Sequence, residues 1–230
     1  MIYQPKTALE AVQLRKANAD TAVYLAGGTD DLRLGSAAAG KDLIDITALG
    51  FDTITEKDGK VCIGALCTLQ DLIDSPLVPV FLKEAAGFCA SFVKRNSATV
   101  GGNLALRRQD SYLAAAFTAA EAVLTVMTAD GEQERKIGDY LQSGCLCLIE
   151  SIVVDKNREG FVKRFGNTSN SHAALIAAAS GGTYALSVSG SAFAYGKTPE
   201  LYRDMTFTDD LTGSAEYKKY LAEVVFPLGR

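Results

Sequence analysis

Residues 24–32, YLAGGTDDL, and residues 95–105, RNSATVGGNLA, share one design: an apolar stretch, two adjacent glycines, then a small polar residue. A glycine pair gives φ > 0 without a Cβ penalty and lets a ligand approach the backbone closely. Successive N–H groups in such a turn form a concave nest that attracts anions, phosphate oxygens above all. A helix starting right after the turn adds its positive end to that attraction. Two facing nests would hold both phosphates of a dinucleotide, with Thr29 and Asn103 adding side-chain hydrogen bonds. Either pair alone also suits a tight turn that simply ends a strand, and that reading stays open.

Better-known phosphate motifs are missing. Neither stretch has the third glycine of G-x-G-x-x-G, which argues against a standard dinucleotide fold. Gly196-Lys197-Thr198 has the order of a P-loop's end. Gly190 lies one residue too far back for that loop and Pro199 follows, so the stretch reads as a surface turn.

The rest of the chain reads as mixed α+β. Thr7 is an N-cap candidate for a helix with Leu9, Val12 and Leu14 at roughly helical intervals. AVYLAG and DLIDI (42–46) read as strands, and FDTITEKDGKVCIGA as a hairpin turning at Asp58-Gly59. TLQDLIDSPLV holds a short helix before Pro76, and FLKEAAGFCASFV has helical spacing. DSYLAAAFTAAEA is helical, VLTVMTADGEQERKI is strand, turn and strand, and CLCLIESIVV is a strand. DKNREG, near residues 155–160, is the expected domain boundary. Beyond it follow strand GFVKRF, SHAALIAAAS as a helix or a buried strand, strand YALSVSGSAF and helix EYKKYLAEVVFPL. The expected division is 1–155, carrying both glycine stretches, and 156–230 as a smaller domain.

A chain of 230 residues, 48% hydrophobic and 22% charged, can bury a substantial core. Its net charge of −4 and scattered basic residues argue against a nucleic-acid groove. MIYQPKTALEAV is not read as a signal peptide, and YLAAAFTAAEAVLTVM, interrupted by Glu121, is too short to cross a bilayer. Five cysteines without framework spacing fit a reducing compartment, so the expected location is the cytoplasm. Cys145 and Cys147 share one face of their strand and read as core filling, since iron–sulfur sites need four spaced ligands. The single histidine, His172, reads as a surface or helix-start residue. Tyr24, Tyr112, Tyr195, Phe88 and Phe92 are aromatic candidates for stacking on a ligand or for the core.

RNSATVGGNLA resembles the R-N-x-A-T-I-G-G-N signature of FAD-binding subunits in molybdenum hydroxylases, the carbon monoxide dehydrogenase and xanthine dehydrogenase type. YLAGGTDDL is similar to that family's first FAD loop, A-G-G-T-D-L. LIDITALGFDTI, VCIGALCTLQDL, FLKEAAGFCAS and GSAEYKKYLAEVV resemble further family segments, in the family's order, over nearly the whole chain. The resemblance implies the flavoprotein fold shared with vanillyl-alcohol oxidase, two α+β subdomains split near residue 50, with a small C-terminal sheet-and-helix domain. It also implies non-covalently bound FAD and an oxidoreductase subunit. Such a subunit passes electrons from a [2Fe–2S] partner through FAD to NAD or another acceptor, in a hetero-oligomer with a molybdopterin-binding subunit. A self-sufficient flavin oxidoreductase, or a non-catalytic assembly subunit, is the alternative.

Position by position, the resemblance puts Leu25, Ala26, Gly27, Gly28, Thr29 and Asp30 in the first FAD loop. The second loop receives Thr99, Gly101, Gly102, Asn103 and Ala105. Cys89 and Ala90 fall close to the flavin, and Lys163 matches a basic residue on the first C-terminal strand. The chain departs from the family in three places. Tyr112 stands where many members have an FAD-contacting Asp, with Asp110 two positions earlier; RRQ (107–109) replaces A-S-P; and Asn167-Thr168 replaces paired arginines.

Overall fold

The computed structural model describes residues 1–89, 91–108, 111–144, 146–169 and 171–228. Near the N-terminus, strand β1 (Ile2–Tyr3) precedes helix α1 (Ala8–Ala17), capped by the Thr7 hydroxyl accepting the Glu10 amide at 3.2 Å. Strands β2 (Ala22–Leu25) and β3 (Asp42–Asp45) follow, and the three strands form a parallel sheet in the order β1-β3-β2. Of the three residues expected on one face of α1, Val12 is buried and Leu14 packs partly against the same cluster, but Leu9 is not. Ala8, Ala11 and Val12 pack on Ala22 and Ile44, while Leu9 is 40% exposed. Alanines let the helix lie close to the sheet.

A second, antiparallel sheet is built from β4 (Ile54–Lys57), β5 (Lys60–Gly64), β6 (Val123–Thr128), β7 (Gly131–Lys136) and β8 (Leu148–Asp155), ordered β4-β5-β8-β6-β7. The β4–β5 hairpin turns at Asp58-Gly59, both with positive φ (52° and 75°), as such two-residue turns require. Among the described residues between β5 and β6 run five helices: α2 (Leu69–Asp74), α3 (Val80–Gly87), α4 (Phe92–Arg95), α5 (Val100–Ala105) and α6 (Tyr112–Ala119). Thr68 and Asp71 close a reciprocal capping box on α2. FLKEAAGFCASFV therefore divides between α3 and α4. A further helix, α7 (Ile137–Gln142), links β7 to β8.

The C-terminal sheet is antiparallel, in the order β12-β11-β10-β9, from β9 (Phe161–Phe165), β10 (Leu175–Ser180), β11 (Thr183–Val188) and β12 (Ala194–Gly196). Helix α8 (Ala215–Leu228) packs on it. SHAALIAAAS thus resolves as the buried strand β10. Leu175 and Ala177 join the cluster under α8, whereas Ile176 and Ala178 join the main core with Phe117 of α6. Buried Lys218 fixes α8 to its surroundings: its ammonium donates to the carbonyls of Ser189 (3.0 Å) and Thr208 (2.9 Å) and pairs with Asp210 at 2.7 Å.

Glu121 ties the end of α6 to the C-terminal sheet. It has a left-handed φ of 56°, accepts from Arg158 Nη2 at 2.6 Å and pairs with Lys197, which also donates to Thr183. Those bonds, Lys197 first and then Arg158, lower the Glu121 pKa from 4.5 to about 2. A depressed carboxylate contributes stability above its unfolded pKa and loses it as pH falls toward the folded value. Urea midpoints measured between pH 5 and pH 3 are therefore expected to fall more for wild type than for Glu121→Gln. Equal falls would show that the pair contributes nothing; the exposed setting keeps the expected difference small.

Candidate functional site

The two glycine stretches meet. The first, running from the end of β2, turns at Gly28 (φ 67°), and the Leu32 amide closes the turn on the Gly28 carbonyl at 3.0 Å. Gly27 lies against the backbone of the second stretch, where an added Cβ would sit 1.7 Å from the Ser97 carbonyl oxygen. Only glycine permits this approach.

The second stretch is stitched to the end of β5 and the start of α2. The Leu69 amide donates to the Ala98 carbonyl (2.9 Å), Val100 to Cys67 (2.9 Å) and Gly101 to Ala65 (2.8 Å). Thr99 then caps α5, its hydroxyl accepting the Gly102 amide at 3.1 Å, while the Asn103 amide reaches the Thr99 carbonyl at 3.0 Å. These bonds correct the expectation of two matching nests. Gly101 and Gly102 lie inside α5, without positive φ, and the amides of residues 100–103 are already engaged. The first stretch differs: the amide N–H groups of Gly28, Thr29 and Asp30 donate to no acceptor among the described residues. One stretch offers donors and the other a surface without side chains.

Between them opens a cleft of about 290 Å³. Ala26, Gly27, Gly28, Thr29, Asp30, Thr99, Gly101, Gly102, Asn103 and Ala105 line it. Leu25, Cys89, Tyr112 and Lys163 do not. Leu25 ends β2, and the Cys89 carbonyl accepts from Arg95 at 2.7 Å. Tyr112 opens α6 and packs against the main core, and the Lys163 ammonium lies 5.9 Å from the Phe161 ring centre. Ala90 and Asp110 lie outside the described residues, as does Cys145. Of the aromatic candidates, Tyr24 lines the cleft; Phe88 and Tyr195 pack against the main core, and Phe92 is exposed.

Several lining residues carried no local signal in the sequence. Leu66, Leu148 and Ile149 come from the ends of β5 and β8 and give the cleft an apolar wall. Arg15, Arg107 and Tyr140, together with Asp31 of the first stretch, give it charge and an aromatic ring. Burial, and then the adjacent Asp30 carboxylate, raises the Asp31 pKa. Arg107 has a left-handed φ of 48°, and its guanidinium carbon lies 4.3 Å from the Tyr140 ring centre. The unengaged donor amides beside a floor of glycines fit a dinucleotide diphosphate, and the apolar wall fits a flat ring system.

Fold and cleft together define an α+β protein with a cleft that suits a dinucleotide. The same fold occurs in crystal structures of Cu,Mo-CO dehydrogenase (TM-score 0.86, 20% identity, 99% of this chain and 95% of that chain). It also occurs in quinoline 2-oxidoreductase from Pseudomonas putida 86 (TM-score 0.84, 17% identity, 99% and 94%). The chain belongs to the family described as the FAD binding domain in molybdopterin dehydrogenase, whose model matches residues 1–154. FAD is the cofactor that this membership assigns to it. Uncharacterized protein YgfM of Escherichia coli (strain K12) is 32% identical over 152 residues, 66% of this chain and 58% of YgfM. The carbon monoxide dehydrogenase medium chain of Hydrogenophaga pseudoflava is 37% identical over 109 residues, 45% of this chain and 38% of that protein. The matched stretch spans less than two-thirds of either relative's length. No helix among the described residues is long and apolar enough to cross a membrane.

Proposed function

We propose that this chain is the FAD-binding subunit of a molybdenum-hydroxylase-type oxidoreductase, holding FAD non-covalently in the cleft between its two glycine stretches. The observation that carries the reading is the meeting of those stretches at Gly27 and Ser97 in a chain of this family. The amides of Gly28, Thr29 and Asp30 bind the diphosphate, and Gly101 and Gly102 admit it close to the backbone. Leu66, Leu148 and Ile149 exclude water from the ligand. FAD, when bound, supplies chemistry in which electrons arrive singly and leave in pairs. The chain's own part is binding, orientation and docking, with residues 1–155 forming the flavin unit and 156–230 a smaller unit against it.

Electrons need closely spaced centres to reach this cleft. The source in this reading is a [2Fe–2S] subunit docked beside it, within a cytoplasmic hetero-oligomer that also contains a molybdopterin-binding subunit. The electrons leave for NAD or another acceptor. Affinity capture of the chain from its native host, followed by metal analysis, is expected to recover iron and molybdenum with companion subunits. Recovery of this chain alone, with full substrate turnover by it, would overturn the partner reading.

A further inference from the structure

We infer that Arg95 is a positioning residue of the cleft: its guanidinium ties helix α4 to α2 and to the end of α3, and so holds the Ser97 backbone in place against Gly27. The role rests on the FAD reading above and extends it to a side chain that does not line the cleft.

Helix α4 needs such a tie. It has four residues and buries none of them. Phe92 and Val93, its large apolar side chains, are 62% and 74% exposed. A helix of one turn does not hold in water by its own hydrogen bonds, and most helical stability in proteins comes from packing an apolar face. α4 lacks that packing, yet its C-terminal turn runs directly into one wall of the cleft. The Lys94 carbonyl accepts the amides of Ser97 (3.1 Å) and Ala98 (2.7 Å). Ser97 is the residue whose carbonyl oxygen leaves no room for a side chain at Gly27, and Ala98 lines the cleft. A shift of α4 therefore moves the surface on which the first stretch rests, and with it the donor amides of Gly28, Thr29 and Asp30.

Arg95 is half-buried, in a run from Ser91 to Ser97 whose other members are exposed. Its Nε donates to the Gln70 side-chain oxygen at 3.0 Å and its Nη1 to the Cys89 carbonyl at 2.7 Å. Gln70 is itself oriented, its amide nitrogen donating to Asp74 one turn further along α2 at 3.0 Å. Both acceptors stand on fixed elements. Leu69 and Leu72 anchor α2 in the main core, and Phe88 and Cys89, which follow α3, pack against that core. A planar guanidinium presents several donors in a rigid fork, so one side chain reaches two separate acceptors at once; an ammonium on a flexible stem does not reproduce that geometry. On its α5 side the wall is held by the Leu69 amide, which donates to the Ala98 carbonyl at 2.9 Å. Arg95 supplies the hold on the α4 side.

The test separates positioning from ligand contact and from general folding. Arg95→Met, Arg95→Lys and Gln70→Ala are compared with wild type by FAD titration, by amide exchange of the ligand-free chain followed by NMR, and by urea unfolding. In Arg95→Met, FAD is expected to bind about 10- to 100-fold more weakly, because a small fraction of chains keeps the binding-competent wall. The Ser97 and Ala98 amides of the ligand-free variant should exchange at least about tenfold faster, a change that loss of a ligand contact would not produce. Core amides and the urea midpoint should stay near wild type, since α4 buries no side chain. Arg95→Lys, which keeps donors without the fork, should recover part of both effects, and Gln70→Ala should show smaller shifts in the same direction. Unchanged FAD affinity, or unchanged exchange at Ser97 and Ala98, in folded Arg95→Met would overturn the role of Arg95 and leave the FAD reading standing, provided wild type binds FAD. If Arg95→Met folds poorly, Gln70→Ala decides by the same readouts: exchange raised throughout the core, or not raised at Ser97 and Ala98, would overturn the role. Wild type that binds no FAD would overturn both readings.

Discussion

Gly27→Ala is expected to abolish flavin binding and to destabilise the chain measurably, although it adds one methyl group. The new Cβ would lie 1.7 Å from the Ser97 carbonyl oxygen, 2.8 Å from its carbon and 3.4 Å from the Ala98 Cα. All three are backbone atoms, so no side-chain rotation relieves the overlap. Nor can the backbone yield easily: the Ala98 amide is held by the Lys94 carbonyl at 2.7 Å and the Ala98 carbonyl by the Leu69 amide at 2.9 Å. Overpacking of this kind costs about 1–3 kcal/mol and sometimes more. The chain can avoid it only by separating the two stretches, which misplaces the donor amides by roughly an ångström or more, enough to cost on the order of a hundredfold in function. Urea unfolding and FAD titration of the variant check both halves. Wild-type values in each would show that the two stretches do not depend on their contact.

Gly102→Ala should separate binding from folding. Within 4 Å of its added Cβ lies only the Thr99 hydroxyl oxygen, at 2.7 Å. Displacing that hydroxyl loses an N-cap worth about 1 kcal/mol. Replacing a helical glycine by alanine returns up to about 1 kcal/mol. The net change in stability is expected to stay within about 1 kcal/mol. The methyl group, however, stands on the floor of the cleft, where close approach of a diphosphate is required. A folded variant that has lost FAD is the expected result. Gly101 behaves otherwise, because a Cβ there would meet Ala65 Cβ at 2.6 Å and its carbonyl oxygen at 2.9 Å. Substitution of Gly101 strains the junction between α5 and β5 before any ligand is involved.

These contrasts show what local sequence could carry. Paired glycines beside small polar residues marked both cleft walls, because close backbone approach leaves a local trace. Whether a glycine turns left-handed or enters a helix left none. Gly101 is helical because its amide reaches Ala65, a partner in another element. Strand β10 was ambiguous for a related reason. Its alternate residues serve two cores, so both faces are apolar and the period of two disappears. Helix α7 is short and contains Gly138, whose missing Cβ makes room for the Tyr195 ring, a contact invisible before folding. The Arg107–Tyr140 contact likewise joins residues that the sequence gives no reason to pair.

FAD binding in the cleft is measured most directly by the flavin released on acid precipitation of the purified chain, identified by chromatography and counted per chain. FAD in the supernatant is expected at one equivalent for wild type and at none for folded Gly102→Ala. Release of FMN, flavin retained in the pellet, or full FAD content in Gly102→Ala would contradict it.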